Sequence, residues 1–193
     1  MHLAVARPED CQAIARVHVR TWQGAYVKLL PAKDLAELSV IDRAKAWRVK
    51  LETGSSRTLV VREAGDICGF ISFGRCRDEG APRDRGEIWL LYVEPEAWST
   101  GAGWALWEAA RVQMLHGGFA EVSLWVLSGN ARGLRFYETV GFRREAGTEK
   151  SFESGGATLR EVRLVFGPMS AHPCIERPPS QRLSTPTGGP SPR

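Results

Sequence analysis

Nothing in this chain of 193 residues looks built for a membrane, a metal or a disulfide. No apolar run approaches the ~18 residues that a bilayer span needs. The opening Met1-His2-Leu3-Ala4-Val5-Ala6-Arg7-Pro8 lacks a signal-peptide core and enters a strand-like pattern at once, so a cytoplasmic protein is expected. Cysteine is sparse: Cys11, Cys68, Cys76 and Cys174 are scattered, and no pair has Cys-x-x-Cys spacing. Buried free thiols in a reducing compartment, with no metal, are the expectation. Charge excess is small as well. The formal net charge is +4, and part of it comes from Arg177, Arg182 and Arg193 against Glu176 near the end of the chain. The rest of the sequence shows no basic stripe and no interleaved aromatic platform, which argues against a nucleic-acid partner. There is no internal repeat.

What is present is the composition of an ordinary globular protein, 43% hydrophobic and 25% charged, long enough for one domain with a substantial core. The composition changes at Pro168. Seven of the 11 prolines lie from there on, among Ser, Thr and Gly, with no aromatic residue. Such a segment buries too little apolar surface to offset its ordering entropy. The expected organisation is a folded domain over residues 1–167 and a disordered tail over 168–193.

Within the domain the hydrophobic period switches repeatedly. Residues 2–7 read as a strand. Pro8-Glu9-Asp10 then opens a helix, with proline and acids at its favoured end. Cys11, Ile14, Ala15, His18 and Trp22 follow at helical spacing. Pro31 begins a second helical stretch. Residues 41–51 form a third, with Ala44, Trp47 and Leu51 on one face. Residues 58–63 and 67–75 are β-rich and flank an Ala64-Gly65-Asp66 turn. Residues 78–85 read as a loop. Residues 87–93 are nearly continuous in apolar character, as in a strand covered on both faces. A helix over 102–115 should bury Ala105, Leu106, Ala109 and Val112, and His116-Gly117-Gly118 should end it. Strands over 121–127, 142–148 and 158–166 and a helix over 131–140 complete the pattern. The order predicts an α/β (α+β) fold, a mixed sheet flanked by helices.

The loop between the strand at 87–93 and the helix at 102 carries Trp98-Ser99-Thr100-Gly101-Ala102-Gly103. Two glycines let backbone approach an anion closely, and the first turn of a helix presents unpaired N–H groups with partial positive charge. This can grip a phosphate. It is not a dinucleotide fingerprint, because position 106 is Leu, and no Gly-Lys-Ser/Thr makes it a P-loop. Taken alone, the glycines serve equally well to turn a loop into a helix.

The second block is more specific: Asn130, Gly133, Phe136, Tyr137, Gly141 and Phe142. With Gly101 and Gly103 it resembles the Gcn5-related N-acetyltransferase (GNAT) superfamily. That family has Gln/Arg-x-x-Gly-x-Gly/Ala after its fourth strand and then Asn-x-x-Ala/Gly-x-x-Phe-Tyr-x-x-x-Gly-Phe. The resemblance covers residues 1–167. It implies a mostly antiparallel sheet of about seven strands, splayed between the fourth and fifth. It also implies an acetyl-CoA-dependent N-acetyltransferase acting on a primary amine of a small molecule or peptide by direct attack in a ternary complex. A longer acyl donor, or a non-catalytic acyl-CoA-binding regulatory module, is the alternative. A homodimer is left open.

By this resemblance, coenzyme A is held by Leu91, Tyr92 and Val93, by Trp98, Ser99, Thr100, Gly101, Ala102, Gly103 and Trp104, and by Asn130 and Tyr137. Trp98 departs from the pattern, standing where the family has Arg or Gln, and Ser99 stands where Gly is frequent. A side-chain donor is lost but the backbone cradle is not; Trp98 reads either as a packing residue at the hinge or as a stacking one. The family's acid falls on Tyr137, whose phenol, with an ordinary pKa of about 10, suits reprotonation of a thiolate. Asn130 falls on the residue that bonds the cofactor arm or orders its helix. For the base, Glu87 is expected to act through water, its bland alternative being a solvated acid. His18 has suitable chemistry but lies on an apolar helix face, where a core histidine is the simpler reading. Trp22, Tyr26 and Phe73 are expected to wall the acceptor pocket.

Overall fold

The computed structural model describes residues 1–54, 56–154 and 157–169. Strand β1 (His2–Val5) leads through a 3₁₀ turn at Pro8–Asp10 into α1 (Cys11–Ala25), α2 (Ala32–Ala36) and α3 (Val40–Thr53). Next come β2 (Arg57–Glu63), β3 (Asp66–Arg75), β4 (Arg85–Val93), α4 (Ala102–His116), β5 (Glu121–Leu127) and α5 (Ala131–Thr139). Strands β6 (Arg143–Arg144), β7 (Lys150–Ser154) and β8 (Ala157–Phe166) close the domain. The described residues form one eight-stranded sheet in the order β1-β2-β3-β4-β5-β8-β6, with β7 also on β8. The sheet is antiparallel except between β4 and β5. One strand was expected over 142–148; instead β6 stops after two residues and β7 starts at Lys150. Gly147, at φ +72°, turns the chain between them.

Alternation along β2 and β3 builds two cores on opposite sheet faces. Val60 and Phe70 face α1 and α3, packing with Ile14, Val17 and Trp47. Leu59, Val61, Ile71 and Phe73 face α4, packing with Leu106, Trp107 and Met114. The buried side of α4 is Ala102, Leu106, Trp107, Ala110, Arg111 and Met114. Of the four positions expected there only Leu106 is buried, and Val112 is exposed. The helix is rotated by about one residue, ~100°, from the expected stripe. Trp107 explains the rotation. Its indole packs 4.9 Å from the Phe142 ring and 5.2 Å from the Phe166 ring, filling a space no alanine could.

Met169 packs against the α4 core, and its N–H donates to the Ala120 carbonyl at 2.7 Å. The remainder of the expected tail lies outside the described residues.

Trp107 is fully buried, yet its indole N–H has no acceptor among the described residues. Trp107→Ala should therefore cost roughly 3–5 kcal/mol. Trp107→Phe should cost far less, because it removes an unmatched donor while keeping a ring. Urea denaturation checks both; equal losses would contradict this account of the core.

Candidate active site

The site begins where two strands part. β4 and β5 are paired only from Arg85↔Glu121 to Ile88↔Leu124. At that point β4 also changes register with β3, since Phe73 faces Ile88 and Ser72 faces Leu90, leaving Trp89 as an extra residue. Such a bulge bends a strand and reverses the faces that follow. Leu91 and Val93 consequently join the α4 side, and Leu90 and Tyr92 the α1 side. Gly74 makes room for the displaced indole: a Cβ there would lie 2.7 Å from the Trp89 ring.

The parting opens a cleft of about 1170 Å³. β4 supplies Glu87 to Val93 on one wall. Trp125 and Leu127 of β5, Leu159 and Glu161 of β8, and Lys150 and Phe152 of β7 form the other. The second wall follows from register: Leu127↔Glu161, Lys150↔Glu161 and Phe152↔Leu159 are opposed pairs and share one sheet face. Trp22, Ala25, Tyr26 and Leu30 close one side.

At one end the cleft meets the glycine loop. Ser99 (φ +63°) and Gly101 (φ +98°) both lie in the left-handed region. Such turns aim successive amides into one concavity. The first intrahelical bond of α4 runs from Ala105 N to Gly101 O, so the amides of Ala102, Gly103 and Trp104 precede the helical ladder. Trp98 is tied down at this hinge. Its Nε1 donates to Val93 O at 2.7 Å, and Thr21 Oγ1 donates to the same oxygen at 3.0 Å. The Arg132 guanidinium sits over the indole, 4.2 Å from the ring centroid. Gly24 admits this packing, because a Cβ there would come within 2.8 Å of Pro95 and 3.3 Å of Trp98.

Helix α5 completes this end. Asn130 Oδ1 accepts from Gly133 N at 2.9 Å, which caps the helix. A Cβ on Gly133 would lie 2.7 Å from Asn130 Nδ2, so glycine there keeps the cap in place. One turn on, Tyr137 lines the cleft with its ring 5.3 Å from Phe136 and 5.6 Å from Phe142. Burial, with a smaller effect from Tyr26, pushes its phenol well above the ordinary value and keeps it protonated. Burial also raises Tyr26, as does the nearby Glu161 carboxylate, while Tyr92 and Asn130 oppose the shift.

The other end of the cleft is charged. Arg77 holds Glu87 from three donors: its N–H and Nε reach Oε2 at 2.8 and 3.2 Å, and Nη2 reaches Oε1. Asp78 accepts from Lys150 Nζ at 3.0 Å, Arg163 Nη1 at 2.9 Å and Trp125 Nε1 at 3.1 Å. Burial alone would raise Asp78, but these donors together hold it below its ordinary value. Lys150 also lies 3.7 Å from the Trp125 ring centroid.

Of the residues singled out from sequence, Trp22, Tyr26, Glu87, Leu91, Tyr92, Val93, Trp98, Ser99, Gly101, Gly103, Trp104, Asn130 and Tyr137 line this cleft. Three others do not. Phe73 faces the α4 core on the opposite side of the sheet, because it shares parity with Ile71. Ala102 is fully buried beneath the loop. Thr100 turns its hydroxyl back to Ala97 O at 2.8 Å. His18 is walled off by Trp22, Trp47, Phe70 and Tyr92, and its Nδ1 accepts from Trp47 Nε1 at 3.5 Å. Burial, then Arg43 and Lys50, lower its pKa to about 3. The sequence reading did not single out Arg132, Trp125, Lys150 and Glu161, whose only local signal is parity on a strand or helix, nor Asp78, which sits in the loop between β3 and β4. Among the described residues no cluster of three metal-ligating side chains occurs, and no helix is long and apolar enough to cross a membrane.

Comparison with known proteins agrees with this architecture. Residues 9–142 match the Acetyltransferase (GNAT) family. The chain belongs to that family. It is 32% identical over 166 residues to the uncharacterized N-acetyltransferase YuaI of Bacillus subtilis (strain 168), covering 86% of this chain and 92% of the relative. A shorter match, 34% over 86 residues, joins 44% of the chain to 29% of the mycothiol acetyltransferase of Thermobispora bispora. Among solved structures, yncA of Salmonella typhimurium with its cofactor acetyl-CoA superposes at a TM-score of 0.67 and 20% identity. That match covers 91% of this chain and 98% of the other.

The buried histidine makes a pH prediction. His18 stays neutral in the fold, whereas the unfolded chain protonates it below about pH 6.5. Its contribution is whole above that pH and is lost as pH falls toward 3, at most on the order of 4 kcal/mol. Lowering the pH from about 7 to about 4.5 should shift the urea midpoint more in the native protein than in His18→Leu. Equal shifts would contradict a neutral buried imidazole.

Proposed function

We propose that this protein transfers the acetyl group of acetyl-CoA to a primary amine. The observation that carries the reading is the cleft between the parted strands, which meets the backbone turn at residues 99–104, is lined by Tyr137 and has a separate charged and apolar end. The residues fit the cosubstrate. Residues 99–104 would hold its pyrophosphate through main-chain amides. Arg132, stacked on Trp98, supplies a cation beside that cradle although the usual Arg or Gln is absent at position 98. The β4 backbone at Leu91, Tyr92 and Val93, past its last pair with β5, is the edge that would bind carbonyls of the pantetheine arm and stabilise charge on the acyl oxygen. A thioester supplies the activated acetyl group.

Tyr137 fits the role of acid because burial keeps its phenol protonated beside the cleft. The phenol gives its proton to the departing thiolate. The nitrogen that has gained the acetyl group then releases a proton that restores it. The amine's first proton must leave before attack. Glu87 would take it through water rather than by contact, since both its oxygens already accept from Arg77.

Acetyl-CoA should raise the melting temperature, with about 2.7 kcal/mol of added stability at a hundredfold excess over Kd. The absence of a shift at saturating concentrations would remove the cosubstrate from the account. In a thiol-release assay over a panel of primary amines, Tyr137→Phe should lower turnover by roughly 10²-fold with little change in acetyl-CoA affinity. Unchanged turnover would exclude Tyr137 as the acid. Thiol release with no amine acetylated, despite tight binding, would contradict amine transfer itself.

A further inference from the structure

Three carboxylates line the cleft, and they are not equivalent. Asp78 is saturated by Lys150, Arg163 and Trp125. Glu87 is paired with Arg77. Glu161 is the third, and its carboxylate makes no ion pair or side-chain hydrogen bond among the described residues. The nearest candidate partner is turned away. Lys150 stands directly opposite Glu161 in the β7–β8 register, but it extends its ammonium to Asp78 and over the Trp125 ring.

Two apolar side chains flank Glu161 on the face it shares with Lys150. Leu127 faces it across β5–β8, and Leu159 lies two residues back on the same face of β8. Both pack with Tyr26 and Leu30. Burial pushes the Glu161 carboxyl above its ordinary range and Lys150 only partly offsets it. The Tyr26 phenol responds to the Glu161 charge as well, so the two side chains share this end of the cleft. A half-buried carboxylate on an apolar wall, with neighbouring cations committed elsewhere, lacks a counter-ion. A cationic ligand with an apolar body would supply it.

We propose that Glu161 receives the acceptor's ammonium group, so that the protein selects primary amines carried on an apolar or aromatic body packed against Tyr26, Leu127 and Leu159. The proposal rests on the acetyl-transfer reading and deepens it by naming the acceptor class. Glu161 here positions and selects the acceptor; Asp78 and Glu87, already paired, do not.

The test titrates the full chain, loaded with coenzyme A, with 2-phenylethylamine and with its uncharged counterpart 2-phenylethanol, by calorimetry. In the native protein the amine should bind at least about tenfold more tightly, ~1.4 kcal/mol. In Glu161→Gln that preference should shrink to about twofold, and Glu161→Asp should retain most of it. In turnover, Glu161→Gln should raise KM for the amine while leaving KM for acetyl-CoA unchanged. Equal affinity of the two probes for the native protein would overturn the proposal, and that comparison does not depend on any variant folding. A preference that persists in Glu161→Gln would overturn it as well. Coenzyme A loading is followed separately by thermal shift. Its failure would strike the acetyl-CoA reading, while the preference between the probes would still be read on the unloaded protein.

Discussion

Strands β4 and β5 run side by side for four residue pairs and then separate, and the cleft depends on that separation. A parallel pair that continued would satisfy its own backbone and leave no cleft. The extra residue at Trp89 bends β4 where the pairing ends, while β5 stays paired with β8 on its other edge from Val122 to Leu127. Trp98 and Thr21 then fasten the end of β4 through the Val93 carbonyl. Backbone at the end of β4 therefore faces an opening at the point where α4 presents its first turn.

The two ends of the cleft work by different means. The turn at residues 99–104 is shaped by main chain, with Ser99 and Gly101 in the left-handed region. Arg132 on α5 places a cation over Trp98, the position where the family has Arg or Gln. The opposite end is made of side chains from β4, β5, β7, β8 and α1, where charge pairing decides which groups remain available. A donor common to a family and an acceptor particular to one member would call for this division. Loops and strand ends carry specificity on a rigid frame.

Much of this was legible in the sequence, for identifiable reasons. Tyr137 is placed by the family resemblance, while Gly101, Asn130 and Gly133 are set by local backbone geometry, so their type and spacing carry the information before the fold is known. The same holds for the Ala64-Gly65 turn and for the strands on either side of it. The failures share one cause: periodicity defines faces without saying which face meets which layer. Phe73 was placed at the acceptor pocket but lies on the α4 side. The stripe on α4 was set one residue from the face that Trp107 selects. Glu161, Lys150 and Asp78 come together only through the register of β5, β8 and β7 and a loop far away in sequence. No local pattern encodes that meeting.

The measurement closest to the central claim is amide-resolved NMR of the full chain with and without saturating coenzyme A. Binding in the parted-strand cleft predicts that the largest changes fall on Leu91, Tyr92 and Val93, on residues 99–104 and on Asn130, with β1 and the outer turns of α3 unchanged. Changes confined to other surfaces, or no change at these amides, would contradict it.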